Sequence, residues 1–385
     1  MSMPEAGTRL GLFFTWDVSL AIWQEKGLLQ REVRFYEELA DKGVNVTFYT
    51  WGGDADDDIA QTIPSIHVVP LHKDCKRPTN KLLRALISPL AVWKVRDDLR
   101  LMDILKTNQM WGGWAPVLAK WISGKPLIVR NGFELYQFTI MQGHSALRRA
   151  FIYALSWLTY KSADLICVAT EEDRQFVIKT FAVAPEMISL RPNWIDTQRF
   201  SPQSVAVKEN RILFVGRLTE QKNLKELISA VAGTPWSLDI AGDGELKDEL
   251  QAYAQETGAN VTFPGSLPND QLPALYCSYP VFVLPSHYEG NPKTLLEAMS
   301  CGCACVGTDV PGIRNLIADR KTGLLSAPTA DGLKEAIATL MNDAGLRRSV
   351  GQAARQQIIE TQTLDSLVAR ELASYTTLTS LRDQT

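Results

Sequence analysis

Two glutamates with seven residues between them, Glu289 and Glu297, are the residues of this sequence with the clearest chemical potential. Glu289 lies in a predicted loop, whereas Glu297 lies in an apolar helical segment between Leu296 and Ala298. A carboxylate in such surroundings requires a partner that offsets its desolvation. Hydroxyl groups of a ligand would donate hydrogen bonds to both acids. Pairing with a nearby arginine or lysine is the alternative that involves no ligand.

Two cations, Arg217 and Lys222, lie in a predicted loop between a strand ending at Val215 and a helix starting near Asn223. Because anions bind where cations meet a helix N-terminus, this loop suits a diphosphate. Turns after neighbouring strands contain glycines, which let backbone approach a ligand closely, although ordinary strand-to-helix turns use the same residues. These turns supply Gly216, Gly242 and Gly244, and a Pro-Gly turn that precedes Ser266 and Leu267.

The segment that positions the two glutamates is predicted to be a strand, a turn and a helix. The apolar run 281–284 is typical of a buried parallel strand. Pro285, Gly290 and Pro292 break the chain into a turn, and Pro292 suits the first position of a helix that ends at Gly302. The helix N-terminus then opens beyond the carboxyl end of the strand, where open α/β sheets bind ligands.

Strands and helices alternate along both halves of the chain, which predicts two doubly wound α/β domains. The first domain is predicted to span 1–195 and the second 208–364. A last helix at about 365–385 is expected to pack back on the first domain. Residues 191–210 are irregular and polar, which favours a linker, and a cleft between two facing domains is the default ligand site. The first loop, 17–26, lacks the G-x-G-x-x-G pattern, which disfavours a dinucleotide-dependent dehydrogenase.

The predicted strands share short apolar runs, and the predicted helices share amphipathic or capped segments. The strands are predicted at 9–16, 44–51, 126–130, 163–170, 212–215, 238–241, 261–263 and 281–284. The helices are predicted near 27–42, 148–162, 223–232, 246–257, 269–278, 292–301 and 331–342.

The composition limits the classes of function. A chain of 385 residues with 45% hydrophobic residues and a net charge of −3 is typical of a soluble globular protein and gives no general case for nucleic-acid binding. The first residues lack a signal-peptide pattern, and no apolar run approaches the roughly 18 residues that span a bilayer, so we expect a cytoplasmic protein. The six cysteines are expected to be reduced. Alternating Cys301, Cys303 and Cys305 are expected to be core residues of a strand rather than metal ligands.

Two charged segments of the first half allow more than one interpretation. Asp54 and the run 56–58 resemble the Asp-x-Asp metal site of some sugar-transferring enzymes, but a solvated loop is the simpler interpretation. Residues 73–106 carry nine Lys or Arg against four Asp or Glu, interleaved with leucines and Trp93. Such a segment suits peripheral contact with an anionic membrane, and helices that pack on a sheet look much the same.

The order of these motifs resembles the retaining glycosyltransferases of family 4, which have the GT-B fold of two facing Rossmann-like domains with an interdomain cleft. The second half carries the resemblance densely, in the segments FVGRLTEQKN, AGDGEL, FPGSL, VFVLPSHYEGNPKTLLEAMSCG, TDVPGI and KTGLL. The first half matches in layout, with SADLICVAT and NWIDTQRF the most similar segments. The glutamate pair with its Pro-Ser lead-in and Glu-Ala-Met tail is the most specific of these motifs.

The resemblance implies roles for individual residues. Arg217 and Lys222 would bind the donor diphosphate and offset the charge of the leaving group, with Glu289 contacting hydroxyls of the transferred sugar. Glu297 would hydrogen-bond the ribose. The implied donor-binding residues are Gly27, Gly216, Gly242, Gly244, Ser266, Leu267, Gly290, Asn291, Pro292, Lys293, Thr294 and Glu297.

The chain departs from the family pattern at three places. Asn131 follows the strand where the family often has a histidine, so Arg130, Asn131 and Glu134 are the candidates for the acceptor side. The Gly-Gly turn that the family often has near position 311 is Pro311-Gly312 here, and the Asn-Gly-x-Asp loop appears as Asn193-Trp-Ile-Asp196.

The activity that the resemblance implies is transfer of a hexosyl unit, with retention, from a nucleotide-diphosphate sugar to a hydroxyl of a glycan or lipid-linked acceptor. It requires no metal or other cofactor and belongs to cell-surface polysaccharide or glycolipid synthesis in the cytoplasm, with contact at the inner face of the membrane an open alternative. A GT-B sugar-nucleotide epimerase or phosphorylase, or a non-catalytic nucleotide-sugar binding protein, would share the same residues.

Overall fold

The computed structural model describes residues 7–73 and 80–382, and the chain divides into two compact units. The first unit extends to Arg191 and also contains the chain from Leu367 onward. The second unit extends from Pro192 to Ser366. Residues 74–79 of the basic segment lie outside the described residues.

The first unit is a parallel sheet with helices packed on it. Its strands are β1 (Arg9–Phe13), β2 (Asn45–Thr50), β3 (Ile66–Pro70), β4 (Ile104–Thr107), β5 (Leu127–Asn131), β6 (Leu165–Val168) and β7 (Ile188–Leu190). Its first nine helices are α1 (Leu20–Glu25), α2 (Leu29–Asp41), α3 (Ala55–Ala60), α4 (Lys81–Lys94), α5 (Arg96–Leu101), α6 (Trp114–Ser123), α7 (Leu135–Met141), α8 (Ala146–Ser162) and α9 (Glu171–Phe181).

The strand order of this sheet is β3-β2-β1-β4-β5-β6-β7, and every pairing is parallel. The central strands are buried on both faces, which explains their continuous apolar runs. Leu12 lies opposite Phe48 in the register of β1 and β2, and Phe13 stacks on Tyr49 with ring centroids 4.9 Å apart. The order reverses between β1 and β4, so their carboxyl ends flank the crevice where doubly wound sheets bind ligands.

The acidic run after β2 forms α3 and not the expected solvated loop. Asp54 and Asp58 are exposed, whereas Asp56 is fully buried. Its carboxylate accepts hydrogen bonds from the Thr50 hydroxyl and from the backbone N–H groups of Leu20 and Ala21, at 3.2 and 3.1 Å. Those two N–H groups open α1, where helical backbone donors have no partner within the helix. Asp56 therefore holds α1 against the end of β2. Within the described ranges, no group of three or more His, Cys, Asp or Glu side chains is arranged to hold a metal ion.

The C-terminal helix, α17 (Leu364–Arg382), is attached to the first unit by a buried ion pair. Glu371 lies 2.8 Å from Lys106 of β4, and both side chains are almost completely buried. Arg191 adds hydrogen bonds to the Arg370 carbonyl at 3.1 Å and to the Ser374 hydroxyl at 2.7 Å. Burial alone would raise the pKa of Glu371, but the positive charges of Lys106 and Arg191 outweigh it and lower that pKa.

The second unit is another parallel sheet with helices packed on it. Its strands are β8 (Arg211–Val215), β9 (Ser237–Ala241), β10 (Val261–Gly265), β11 (Val281–Leu284), β12 (Ala304–Thr308) and β13 (Leu324–Ser326). Its helices are α10 (Leu224–Val231), α11 (Lys247–Thr257), α12 (Leu272–Cys277), α13 (Lys293–Ser300), α14 (Pro311–Arg314), α15 (Ala330–Asn342) and α16 (Ala344–Thr361).

The second sheet has the order β10-β9-β8-β11-β12-β13 with all strands parallel. β11 is completely buried, which agrees with its uninterrupted apolar sequence. The expected linker belongs to this unit, and its first part packs on the core, whereas residues 202–210 are mostly exposed. Phe200 is buried there, and its carbonyl accepts a hydrogen bond from the Ser300 hydroxyl at 2.6 Å.

The three alternating cysteines do not share a strand face. Only Cys305 lies in β12, while Cys301 follows α13 and Cys303 follows the turn at Gly302. All three thiols are free and buried, and the Cys303 thiol donates to the Tyr276 carbonyl at 2.9 Å. Burial raises the pKa of Cys303 well above the ordinary thiol value, so this thiol stays protonated.

None of the helices in the described parts of the chain combines the length and the apolar character needed to cross a bilayer.

Candidate active site

The reversal of strand order in the second unit brings two predicted loops together. β8 pairs with β9 on one side and with β11 on the other, so the loops that follow β8 and β11 leave the sheet side by side. The loops are also hydrogen-bonded to each other. His287 N–H donates to the Gln221 carbonyl at 2.9 Å, and the Gln221 side chain donates to the Tyr288 carbonyl at 2.8 Å. The structure therefore brings the Arg217–Lys222 segment and the Glu289 segment to one edge.

Lys222 and Glu289 form an ion pair at this edge, with about nine tenths of each side chain buried. The same carboxylate oxygen of Glu289 accepts a hydrogen bond from the Ser286 hydroxyl at 2.6 Å. Asn223, which takes φ +53°, fixes the backbone beyond Lys222 by donating to the Pro285 carbonyl at 3.1 Å. An ammonium group has three protons, so pairing with one carboxylate oxygen leaves Lys222 able to donate to a ligand as well. The ion pair is thus a preorganised polar centre at the crevice.

Arg217 differs from Lys222 because its side chain is exposed. Within the described part of the chain it takes part in no ion pair. Its backbone follows β8 directly, at the same edge as the Lys222–Glu289 pair. A guanidinium group held at a crevice by its backbone, and not engaged with an acid, suits bidentate recognition of a phosphate.

The N-terminus of α13 opens at the same edge, and no side chain caps it. The loop before it is fixed from two sides. Asn193 N–H donates to the Asn291 side chain at 3.1 Å, and the Asn193 side chain donates to the Asn291 carbonyl at 2.6 Å. A Cβ at Gly312 would stand 2.1 Å from the Gly290 carbonyl oxygen, so only glycine allows this approach. Pro292, Lys293 and Thr294 form the cap and the first residues of the helix, whose N–H groups can receive an anion.

Glu297 is 2% exposed and lies inside α13, as its sequence surroundings predict. Tyr276 is one partner that offsets its desolvation, because its hydroxyl donates to the carboxylate at 2.8 Å. Burial and the charge of Glu297 raise the pKa of Tyr276 well above the ordinary phenol value, so Tyr276 remains a donor. Tyr276 lies 21 residues before Glu297, and no pattern in the sequence indicates their contact.

Backbone packing alone explains why glycines occur in the neighbouring loops, without any contact to a ligand. Gly242 takes φ +140°, and a Cβ there would stand 1.9 Å from the Gly216 carbonyl oxygen. A Cβ at Gly244 would stand 2.4 Å from the Leu218 carbonyl oxygen. The loop after β9 is therefore packed backbone to backbone on the loop after β8. The role of Gly216, Gly242 and Gly244 in donor binding stays a prediction.

The remaining candidates of the second unit lie further along the same edge. Ser266 is exposed and Leu267 packs partly against the core, both directly after β10. β10 is two strands from β8, which corresponds to about 10 Å across the sheet. These two residues are at the carboxyl edge but are not next to the Lys222–Glu289 pair.

In the first unit, Gly27 lies in the turn between α1 and α2 with φ +64°. Most of the loop predicted at 17–26 is occupied by α1. The positive φ is explained by the end of α1, where left-handed backbone favours glycine. No atom lies within 4 Å of a Cβ placed at Gly27. The contact with a donor or acceptor stays a prediction.

Asn131 and Glu134 belong to a buried network beside the end of β5. Glu134 is 0% exposed and caps α7 by accepting from the Gln137 N–H. Tyr160 donates to Glu134 at 3.2 Å and accepts from the Asn131 side chain at 2.6 Å. Arg130 is half-buried within β5, and its N–H donates to the Thr107 hydroxyl at 2.8 Å. The structure gives Asn131 and Glu134 packing roles, and an acceptor contact stays a prediction.

Comparison with known proteins decides the family. The family model described as "Glycosyl transferases group 1" matches residues 196–357, and the model described as "Glycosyltransferase Family 4" matches residues 33–199. The glycogen synthase of Mycobacterium tuberculosis is 30% identical over 288 residues, which cover 69% of this chain and 68% of that protein. The chain belongs to glycosyltransferase family 4.

Other relatives of this glycosyltransferase act on lipid-linked sugars according to their names. The N-acetylgalactosamine-N,N'-diacetylbacillosaminyl-diphospho-undecaprenol 4-alpha-N-acetylgalactosaminyltransferase of Campylobacter jejuni is 28% identical over 313 residues, 78% of this chain and 84% of that protein. The UDP-Gal:alpha-D-GlcNAc-diphosphoundecaprenol alpha-1,3-galactosyltransferase of Escherichia coli is 30% identical over 270 residues, 63% of this chain and 67% of that protein.

Solved structures confirm the predicted GT-B fold of this glycosyltransferase. The sucrose-phosphate synthase of Thermosynechococcus elongatus has a TM-score of 0.80 at 19% identity, with 97% of this chain and 100% of that chain covered. WaaG, a glycosyltransferase involved in lipopolysaccharide biosynthesis, has a TM-score of 0.70 at 20% identity, with 96% and 99% covered. At these identities the likeness shows the fold alone.

We expect Glu134→Gln to flatten the pH dependence of stability of this glycosyltransferase. Burial raises the pKa of Glu134 to about 7, although hydrogen bonds from Gln137 and Tyr160 act in the opposite direction. Because the folded pKa lies above the ordinary value of 4.5, the folded state binds the proton more tightly, and stability falls as pH rises through this window. Glutamine keeps an acceptor for the Gln137 N–H and has no proton to lose.

Thermal unfolding at about pH 5 and about pH 7.5 tests this expectation. The wild-type protein should lose more stability between the two pH values than Glu134→Gln. Glu186 is exposed, so the Glu186→Gln variant should lose as much stability between the two pH values as the wild type. The same loss in wild type and Glu134→Gln would show that Glu134 does not titrate in this range.

Proposed function

We propose that this glycosyltransferase moves a hexosyl unit from a nucleotide-diphosphate sugar to a hydroxyl of a lipid-linked or polysaccharide acceptor, with retention and without a metal. The observation that carries the proposal is the Lys222–Glu289 pair at the switch point of the second sheet, beside Arg217 and the uncapped N-terminus of α13. This arrangement presents positive charge for a diphosphate and a carboxylate for sugar hydroxyls within one crevice.

The cations and the helix N-terminus would hold the diphosphate. Arg217 and Lys222 donate to its oxygens, and the first N–H groups of α13 face the same charge. When the bond from the sugar to the diphosphate breaks, the leaving oxygen gains negative charge. Fixed cations stabilise that charge without reorganising, which lowers the barrier. They supply the positive charge for which other sugar transferases use a metal ion.

The acceptor hydroxyl would attack the same face of the sugar from which the diphosphate leaves. Lys222 and Ser286 engage one carboxylate oxygen of Glu289, so we assign this acid to contacts with sugar hydroxyls and not to nucleophilic attack. A leaving phosphate oxygen would take the proton of the acceptor hydroxyl. Catalysis then rests on positioning and on charge stabilisation. The names of the two diphospho-undecaprenol relatives support a lipid-linked acceptor, and the glycogen synthase supports a glucan.

Donor screening followed by product analysis tests this function. Thermal shift with UDP-, GDP- and ADP-sugars in EDTA should show one nucleotide that raises the melting temperature. With that donor and a lipid-linked acceptor, NMR should show a new glycosidic bond with the donor's anomeric configuration. An epimerised nucleotide sugar, a sugar phosphate, or tight donor binding without any product would each replace this proposal by one of the alternative functions.

Glu297→Gln is expected to raise the dissociation constant of the donor by about 10- to 100-fold, which corresponds to loss of one charged hydrogen bond of about 1.5–3 kcal/mol. Glutamine still offers a carbonyl oxygen to the Tyr276 hydroxyl, so the fold should persist. Calorimetry with the nucleoside diphosphate measures the effect. Equal affinity in Glu297→Gln and wild type would remove Glu297 from the donor site and leave it a purely structural acid.

A further inference from the structure

Helix α4 carries an apolar stripe on its outward side. Leu83, Leu86, Leu90 and Trp93 follow each other at spacings of three and four residues, and they are 48%, 77%, 64% and 53% exposed. Such spacing places them on one face of a helix. The inward side of α4 buries Ala91 and Val92, and the Arg84 guanidinium at its edge pairs with Asp17 at 3.0 Å. The helix thus packs on the unit through this side and presents its leucines and Trp93 to the outside.

The first half of α8 is exposed in the same manner. Leu147 is 86% exposed and Phe151 is 55% exposed, in a stretch where every residue from 145 to 151 is exposed. Trp157 further along the helix is 47% exposed. Of sixteen large apolar side chains that are exposed in the described residues, fourteen belong to the first unit and two to the second. The exposed apolar side chains are therefore concentrated in the first unit, and contiguous apolar patches of this kind are typical of interaction surfaces.

Both exposed surfaces adjoin the loops at the carboxyl ends of β1 and β4. The Trp114 indole donates to the Ser88 hydroxyl of α4 at 2.9 Å. Trp114 is the first residue of α6, and Trp111 in the loop before it contacts the Phe151 ring of α8 at a centroid distance of 6.4 Å. Trp16, which follows β1, contacts both tryptophans. Helices α4 and α8 are therefore both in contact with the tryptophans at the carboxyl edge of the first sheet.

The charge of these segments is opposite to that of the whole chain. The chain has a net charge of −3, yet residues 75–96 contain six Lys or Arg and no Asp or Glu. Residues 135–163 contain three Lys or Arg and again no acid. Arg148 and Arg149 lie beside Leu147 and are exposed, and neither forms an ion pair within the described residues. A second copy of this chain would offer these arginines no acid from the same segments.

We infer that the outward faces of α4 and of the first half of α8 dock on an anionic bilayer. Leucine and phenylalanine enter the boundary between headgroups and acyl chains, and the arginines bind anionic headgroups. Trp93 and Trp157 have the amphipathic rings that favour the membrane–water interface. This surface would bring a lipid-linked acceptor to the first unit, and in that respect the inference rests on the proposed function. Docking itself requires no sugar transfer.

Flotation of the full-length protein with vesicles tests the inference. The wild-type protein should partition at least tenfold better to phosphatidylcholine vesicles containing phosphatidylglycerol than to pure phosphatidylcholine vesicles. Leu86→Glu combined with Leu90→Glu should abolish that partitioning. Arg148→Ala combined with Arg149→Ala should lower it about 30-fold on anionic vesicles, since each basic residue near the surface contributes about a factor of five. Ile359→Glu, an equivalent change at an exposed position of the second unit, should partition like the wild type.

Three results would overturn the inference. The first is a wild type that does not bind anionic vesicles, and the second is a Leu86→Glu, Leu90→Glu variant that binds as well as the wild type. The third is a dimer in sedimentation that this variant dissociates, without vesicle binding by the wild type, which would assign the surface to a second copy. Calorimetry with nucleoside diphosphates on the same samples separates the two proposals, because donor binding without vesicle binding refutes only the docking surface.

Discussion

Lys222→Ala is expected to lower kcat by about 10²–10³, the loss seen when one donor to a developing oxyanion is removed, equivalent to about 2.7–4 kcal/mol. The reason is that the ammonium group is fixed beside Glu289 and Ser286 before the donor arrives, so its charge acts on the leaving diphosphate without reorganisation. Single-turnover measurement of sugar transfer at saturating donor gives the effect on the chemical step.

A control is needed because Lys222→Ala also leaves Glu289 buried without its cation. Combining Lys222→Ala with Glu289→Gln removes the unpaired charge and should not restore kcat. Lys225→Ala removes an exposed lysine three residues further along, which pairs with Glu249, and should leave kcat within about twofold of the wild type. If Lys222→Ala turns over at the wild-type rate, Lys222 does not stabilise the leaving group.

Lys106→Ala is expected to reduce the free energy of unfolding by about 3–5 kcal/mol, because Glu371 would remain in the core as an uncompensated carboxylate. Both side chains are almost fully buried, and their contact attaches α17 to the first sheet. Eight of the ten tryptophans belong to the first unit, so urea unfolding followed by tryptophan fluorescence reports mainly on that unit.

Two further variants define the effect of Lys106. Lys120→Ala breaks a partly exposed pair with Asp164 and should cost no more than about 1 kcal/mol. Lys106→Met combined with Glu371→Leu removes both charges and should regain most of the lost stability. A loss below about 1 kcal/mol in Lys106→Ala would mean that the buried pair does not hold the helix.

The pH dependence of the same pair has a defined sign. The positive charges of Lys106 and Arg191 keep the pKa of Glu371 below its ordinary value in spite of burial. The contribution of Glu371 to stability is therefore fully present above the ordinary value of 4.5 and is lost as pH falls through the lowered folded pKa. Acid should accordingly release α17 from the first unit.

The second unit was predictable from sequence because its signals are local. The strand predicted at 281–284 is β11, and the helix predicted near 292–301 is α13 at Lys293–Ser300. A strand buried on both faces has a continuous apolar run, and Pro292 and Gly302 mark the two ends of the helix. The sequence signals of β8 and α15 are local as well, and the predicted bounds of each differ from the observed bounds by one residue.

Elements that depend on tertiary contacts were not predictable in the same way. The segment 17–26 has a loop composition, yet α1 forms there because Asp56 satisfies its first N–H groups from 35 and 36 residues away. The same contact buries Asp56, although the acidic residues around it in the sequence suggest a solvated segment. Residues 192–210 look like a linker, but Phe200 packs into the core of the second unit.

The candidate site shows the same division. The sequence identified Lys222, Glu289 and Glu297 by type and spacing. It did not indicate that Lys222 and Glu289, 67 residues apart, form an ion pair, or that Tyr276 is the partner of Glu297. The ion pair depends on the reversal of strand order that brings the β8 and β11 loops together, and the Tyr276–Glu297 contact depends on the packing of α12 against α13. Gly242 and Gly244 were expected to let the backbone approach a ligand. In the structure they let the loop after β9 pack against the backbone of the loop after β8.

Calorimetry of nucleoside diphosphates in EDTA tests most directly whether the β8–β11 crevice holds an activated sugar. One of UDP, GDP and ADP should bind the wild type with one site per chain. Arg217→Ala combined with Lys222→Ala should weaken that binding about 100-fold or more, because two charged hydrogen bonds to phosphate are removed. Failure of all three nucleotides to bind, or equal binding by the double variant, would contradict the account.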